Sequence, residues 1–225
     1  MTRSSGNYLI VTPGFLLLQE AFRRTEGIES SYNHAIFTGG VLRGGLRCPA
    51  ILVHERWAHA VKYLAGGARC VAVDFNSSHV LVSLHLQHRR AGLGALQETL
   101  AEVRQFLCST RGRNVVIGMD ANTKVGDILD YVHVGESVPA AAHSAENGDR
   151  AVHIHELLVE FGLALTNTFS DTSGEELHTR TNWSGDGPVQ IDFLAASLGM
   201  SCCEVAVDAT MNFQLITGCC GPVSS

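Results

Sequence analysis

The sequence predicts an α/β protein in which a pair of sheets is flanked by helices. Three observations carry that expectation. Short runs rich in Val, Ile and Leu recur at strand length, and several are apolar on both alternating faces, as in sheets covered on both sides. Two segments place apolar residues at helical spacing. Strands outnumber helices and the two helices are interleaved among them, a pattern that suits layered sheets with helices outside.

The elements follow in chain order. Phe15–Leu18 reads as a strand that ends at Gln19-Glu20. His34–Thr38 and Ala50–Val53 are two more, separated by the Gly-rich TGGVLRGGLRCP. Cys70–Phe75 and Val80–His85 flank the turn-like Asn76-Ser77-Ser78 and read as a hairpin. Leu93, Leu96, Leu100, Val103 and Leu107 predict a helix over residues 93–108. Val115–Gly118 is a buried strand, and Thr123–Asp149 is polar without a strong period. Ile154, Leu157, Leu158 and Phe161 predict a second amphipathic helix, closed by Gly162. Leu163–Thr166, Ile191–Ala196 and Val205–Asp208 complete the strands. There is no internal repeat and no low-complexity tract.

Bulk properties narrow the function classes. A chain of 225 residues, 45% apolar and 17% charged, suits one substantial folded domain. A net charge of −6 argues against a broad basic surface for clamping nucleic acid, but leaves room for a local basic rim. The seven Cys include the adjacent pairs Cys202-Cys203 and Cys219-Cys220 and form no CxxC spacing. They read as reduced thiols, which implies an intracellular protein, cytoplasmic or nuclear. The apolar stretch Tyr8–Leu18 is interrupted by Pro13-Gly14 and lacks a cleavage signature, so it does not read as a secretory signal. No apolar run has the length of a membrane span.

Polar residues then gather at the ends of the apolar strands: Glu20, His85, Asp120 with Asn122, and Asp192. Strand ends are rigid platforms on which sites are built. Such a set suits metal-assisted cleavage of a phosphate ester. Carboxylate oxygens are hard donors for Mg²⁺, a second carboxylate orients water, an amide donates to a phosphate oxygen, and an imidazole donates or shuttles a proton. Taken singly, each has an ordinary explanation. A strand-end Glu is commonly solvated, Asp-x-Asn is commonly an Asx turn, and a lone His is commonly just hydrogen-bonded. Their joint order is what carries the functional reading.

In that order, LLLQE, VSLHL, IGMDANT, RTNW and QIDFLAAS resemble the endonuclease/exonuclease/phosphatase superfamily with its DNase-I-like fold, abasic-site and retrotransposon-type endonucleases included. The resemblance spans about residues 15–200. It implies a four-layer α/β/β/α sandwich of two mixed sheets with the site at one end. It implies Glu20 and Asp120 as Mg²⁺ ligands, Mn²⁺ serving as substitute. Asp120 would also align water, Asn122 and His85 would face the phosphate, and Asp192 would orient a catalytic His. Trp183 resembles an aromatic that supports the substrate-facing loop, a core role being the alternative, and the substrate would be either nucleic acid (DNA foremost) or a phosphorylated small molecule. Arg89 and Arg90, just after His85, read either as a rim that meets phosphates or as a solvated loop.

Two departures shape the expectation. Only eighteen residues precede Gln19, too few for the family's first strand-helix unit, and no His follows His178. The sequence therefore predicts a domain over residues 15–208. Residues 1–14 would be an extension or remnant, residues 209–225 a divergent tail, and terminal strands would be missing. A Mg²⁺-dependent nuclease-like hydrolase with a crippled or silent site is the leading expectation. A non-catalytic binding domain of the same fold is the alternative, and a fragment of a larger polyprotein is a third.

Other signals carry less. TGGVLRGGLR lacks the Gly-Lys-Ser/Thr of a P-loop and reads as a turn. His153 and His155 are two apart on a helix and make a poor metal pair. Arg111 and Arg113, ahead of the Asp120 strand, read either as a phosphate-facing rim or as a solvated loop.

Overall fold

The computed structural model describes residues 8–12, 14–22, 26–40, 47–125, 128, 130–135, 145–169, 180–181, 188–200, 205–208 and 213–216. In chain order the elements are β1 (Tyr8–Thr12), β2 (Phe15–Phe22), β3 (Gly27–Ser31), β4 (His34–Thr38), β5 (Arg47–His54), the short helix α1 (Glu55–Ala58), β6 (Val61–Gly66), β7 (Cys70–Phe75) and β8 (His79–His85). There follow α2 (Gly92–Ser109), β9 (Asn114–Asp120), α3 (Ala145–Phe161), β10 (Leu163–Leu165), β11 (Arg180–Thr181), β12 (Pro188–Val189), β13 (Asp192–Ser197), β14 (Val205–Asp208) and β15 (Phe213–Ile216).

Two mixed sheets form the body. The seven-stranded sheet has the order β14–β15–β1–β2–β5–β4–β3, with β15 on β1 as its parallel pair. The six-stranded sheet has the order β10–β13–β9–β8–β7–β6, with β8 on β9 as its parallel pair. Strands β11 and β12 pair separately.

Alternation of side chains sorts the core into layers. Phe15, Leu17, Phe37, Ile51 and Val53 of one sheet meet Val71, Val73, Leu81, Val116, Leu194 and Ala196 of the other. The opposite face of the six-stranded sheet, with Val82, Leu84, Ile117, Met119 and Phe193, packs on Leu96, Leu100, Val103 and Leu107 of α2 and on Ile154, Leu157 and Leu158 of α3. Each fully buried Leu on that face contributes about 1.5–3 kcal/mol of transfer free energy. Gly162, at φ +59°, ends α3 in the left-handed conformation that favours Gly. Leu18, Ala21, Ile36, Cys48 and Ala50 cluster on the far face of the seven-stranded sheet. No helix among the described residues contributes to that cluster, so these residues supply three of the four layers expected.

Both terminal segments contribute a strand. Phe213–Ile216, read as part of a divergent tail, is β15, and Tyr8–Thr12, read as an extension or remnant of a first strand, is β1. They pair with each other, Tyr8 opposite Phe213 and Ile10 opposite Leu215. Backbone pairing in a mixed sheet needs no sequence motif, which is why the tail's unfamiliar sequence did not announce a strand.

The two sheets are aligned by contacts that can be read off residue by residue. At one end the rings of Phe15 and Phe75 lie 5.0 Å apart, edge to face. Phe75 pairs with His79, the first residue of β8. Further along, Ser83 Oγ of β8 donates across the sandwich to the carbonyl of Leu18 in β2, at 2.7 Å. Strands β2 and β8 therefore run the same way, and the positions after Leu18 lie toward the His85 end.

There β2 carries a bulge. Leu18 opposes Ala50 and Ala21 opposes Cys48, so Gln19 and Glu20 together face the single residue Pro49. Ser83→Ala would remove the tie between Leu18 and β8. The expected cost is about 1–3 kcal/mol of stability, measured by denaturant unfolding.

Candidate functional site

Strand register builds the site. Parallel pairing of β8 on β9 sets His85 beside Asp120, and antiparallel pairing of β13 on β9 sets Asp192 on the other side of Asp120. His85, Asp120 and Asp192 thus form one row across three adjacent strands. Their alternation partners Leu81, Val116 and Leu194 lie between the sheets, so the row occupies the inner face at the sandwich's end. Ala121 N–H donates to the Ile191 carbonyl at 2.8 Å, which makes Asp120 and Asp192 a non-hydrogen-bonded pair, the arrangement with the closer side chains.

Asp120 is held at both oxygens. Its Oδ1 accepts the N–H of Asn122 at 2.9 Å, an Asx turn. Its Oδ2 lies 3.7 Å from His85 Nε2, beyond direct hydrogen-bond length and within charge contact. On the other edge of the ring, His85 Nδ1 sits 3.5 Å from Arg69 Nη1. The His85 N–H also donates to the Arg69 carbonyl at 2.9 Å. A guanidinium only donates, so the contact needs an unprotonated Nδ1 and leaves the ring proton on Nε2, toward Asp120.

The strand stops at Asp120 and the chain turns, with Asn122 at φ +48° rather than extended. Its Nδ2 donates to the Leu86 carbonyl at 2.9 Å and so ties the β9 turn to the end of β8. Asn122 reaches the same end of the sheet as Asp120, but through a turn and not through strand alternation.

The remaining expected residues divide. Glu20 takes the second bulge position of β2, in the strand that runs alongside β8; its side chain lies outside the described residues. Trp183 also lies outside them. Arg89 and Arg90 follow His85 in a 3-10 turn and are exposed. Arg113, weighed as a rim residue, instead pairs with Asp74 at 2.9 Å. It and Arg111 stand before β9, about 20 Å from Asp120 along the strand, too far to share the site. His153 contacts Glu156 and His155 contacts Asp130, so the two imidazoles are separately engaged. Among the described residues no three acid, His or Cys side chains converge as a metal centre.

Three residues at this end were missed. Arg69 gave no signal, because the turn between β6 and β7 brings it in from a distance. Asn167 follows the apolar run of β10 and had the same strand-end signal as the others. Its Nδ2 donates to the Asp192 carbonyl at 3.2 Å and its Oδ1 accepts the Leu194 N–H at 3.1 Å, which fixes the backbone under Asp192. Gln190 stands in the QIDF segment and was passed over for its neighbour.

The loop after Asn122 is anchored by Asp130. Its Oδ1 accepts the N–H groups of Val132, His133 and Val134 at 3.1, 2.7 and 3.0 Å, and Oδ2 meets His155 Nε2 at 2.6 Å. Burial pushes this carboxyl's pKa up, but the His155 contact and the three N–H bonds outweigh it and hold the group well below the usual carboxylate range.

No protein-family model matches the sequence, and no curated protein sequence matches it. Solved structures do. The chain is similar to the 3′ phosphatase NExo from Neisseria, solved with product DNA hairpin, at 13% identity and a TM-score of 0.57, covering 91% of this chain and 92% of that one. It is also similar to the AP endonuclease LMAP from Leishmania major, at 11% identity and a TM-score of 0.52. That match covers 74% of this chain, and the chain spans 62% of the endonuclease's length. At such identities the likeness shows the fold, and it bears out the DNase-I-like sandwich expected from the sequence.

Two outcomes follow from these contacts. Asn122→Ala should be less stable than Asn122→Gly by about 1–2 kcal/mol in denaturant unfolding, because both lose the amide but only Gly accepts the left-handed backbone. Asp130→Asn should destabilise the protein at neutral pH. A carboxyl with a depressed folded-state pKa stabilises above its unfolded value, and that contribution is lost as pH falls. The gap to the wild type should therefore narrow below pH about 4, as followed by thermal melts across pH.

Proposed function

We propose that this chain is a Mg²⁺-dependent phosphodiesterase of nuclease type, acting slowly on nucleic acid, with DNA as the favoured substrate. The observation that supports it is the row His85–Asp120–Asp192 at the sandwich end toward which the bulge of β2 carries Glu20. A DNA hairpin bound in the structurally similar NExo supports nucleic acid as the substrate class.

The donor set fits a hard cation. Asp120 and Asp192 are neighbouring carboxylates, whose oxygens are the ligands that Mg²⁺ takes and Mn²⁺ accepts. In this reading Glu20 and Asp120 hold the ion, which when bound lends Lewis acidity to the phosphate oxygens. The chain's own groups do the rest. Asp120 Oδ2 orients the attacking water. His85, its Nδ1 turned to Arg69, presents Nε2–H as a donor to a phosphate oxygen. Asn122 has a second amide hydrogen beyond the one given to Leu86. Arg89 and Arg90 supply exposed positive charge beside the mouth, and Asp192 adds the second acid of the row.

Chemistry is slow in this reading because the row supplies one imidazole, His85, for both proton removal and protonation of the leaving oxygen. A missing general acid or base typically costs about 10²–10⁴ in rate. The same observation favours a second reading, a non-catalytic nucleic-acid-binding domain. Calorimetric Mg²⁺ binding without any cleavage separates it from the first.

Cleavage of duplex DNA with Mg²⁺ should be measurable, stop with EDTA, and fall by at least about 10²-fold in Asp120→Ala. Cleavage unchanged by that substitution would remove Asp120 from its assigned role.

A further inference from the structure

Gln190 is 2% exposed, and among the described residues neither its Nε2 nor its Oε1 has a hydrogen-bond partner. An amide carries two donor hydrogens and an acceptor oxygen, so this is a large unmet polar demand. Buried polar groups in native proteins are nearly always paired, and each exception calls for an explanation. Replacing an unpaired amide with an apolar group of the same shape is neutral or stabilising, so packing gives no reason for Gln at this position.

Its place in the fold supplies one. Ile191 is held against Ala121 by the Ala121 N–H to Ile191 carbonyl bond, and Gln190 precedes it, two residues before Asp192. In an extended segment leading into β13, two-residue alternation sets Gln190 on the same face as Asp192. Asp192 follows it in the chain, with Asp120 on the neighbouring strand. The carboxylate of Asp120 is engaged, whereas the Gln190 amide makes no hydrogen bond among the described residues.

We infer that Gln190 is a substrate-contacting residue of this site, its amide reserved for the phosphodiester. The Nε2 hydrogens would be donated to a non-bridging phosphate oxygen, while Oε1 accepts from a water bound to the same nucleotide. A neutral donor suits this place, since a further carboxylate would repel the phosphate and a cation would pair with Asp192. The inference rests on the reading of the site as a nucleic-acid phosphoesterase, and it adds a contact that reading does not require.

The test sets stability against binding in the full-length chain. Gln190→Met keeps length and volume and removes the polar atoms. A stranded amide predicts a melting temperature equal to or above the wild type's. A substrate contact predicts binding to a short DNA duplex, with Ca²⁺ in place of Mg²⁺ to hold back turnover, about tenfold weaker. Both together support the inference. Equal binding by the two proteins overturns it and leaves the phosphoesterase reading standing, whereas a wild type that does not bind duplex DNA brings down both. Should the Met variant fail to fold, the wild type's own Gln190 side-chain amide resonance decides. Its displacement on addition of the duplex, absent with Ca²⁺ alone, supports the contact, and a stationary resonance overturns it.

Discussion

The register of β8 and β13 on β9 is the constraint from which the rest of the site follows. One slip of a single residue in either pairing would turn a whole strand over, exchanging the face that carries His85 or Asp192 for the one that packs on the helices. That register is fixed by hydrophobic pattern, not by the polar row itself. Val80, Val82 and Leu84 must meet α2 and α3 while Leu81 meets the opposite sheet, and Phe193 and Ala195 alternate with Leu194 and Ala196 in the same way. The core thus places the polar groups, and the Ser83 to Leu18 hydrogen bond passes the alignment on to β2.

Placing two carboxylates side by side has a cost. Like charges about 5 Å apart at an effective dielectric of about 20 repel by about 3 kcal/mol. The chain is already net negative at −6, so no general positive field relieves the pair. Local groups offset part of it: the Asn122 N–H on Asp120 Oδ1, and the Arg69 guanidinium acting through the His85 ring. A site that retains such repulsion between well-held acids is one in which a cation gains most by arriving, since its binding energy includes the repulsion it cancels. The Asx turn and the Asn167 clamp add to what the register does, the first holding the Asp120 carboxylate and the second the backbone at Asp192.

How much of this was legible in the sequence depended on whether the determining contact was local. His34–Thr38 and Cys70–Phe75 were readable to the residue, because apolar alternation ends there at turn residues. Val115–Gly118 was read two residues short at its C-terminal end, since Met119-Asp120 continue pairing with β13 and a partner strand is invisible from one segment. Gly27–Ser31 escaped because it is an edge strand whose burial alternates between half-buried and exposed, so burial demands few apolar residues of it. The bulge at Gln19-Glu20 was unreadable for a different reason: it exists only as two residues set against Pro49. Among the site residues, His85, Asp120 and Asp192 were legible because each ends or opens an apolar run. Arg69 was not, because its partner lies across a turn and a hairpin.

The seven-stranded sheet bears on the chemistry as well. Strand β15 lies between β14 and β1 and begins at Phe213, level with Tyr8, which is itself level with Leu18 of β2. The strand therefore enters the sheet from the end at which the acids gather. Asp208, the last residue of β14, is level with Phe213 and so stands at that same end. Carboxylates, an amide and one imidazole can seat a cation and grip a phosphate without a further proton donor. Under the proposed function, bond cleavage would gain more from a proton delivered to the departing oxygen than binding would, so affinity for a phosphodiester would outlast turnover.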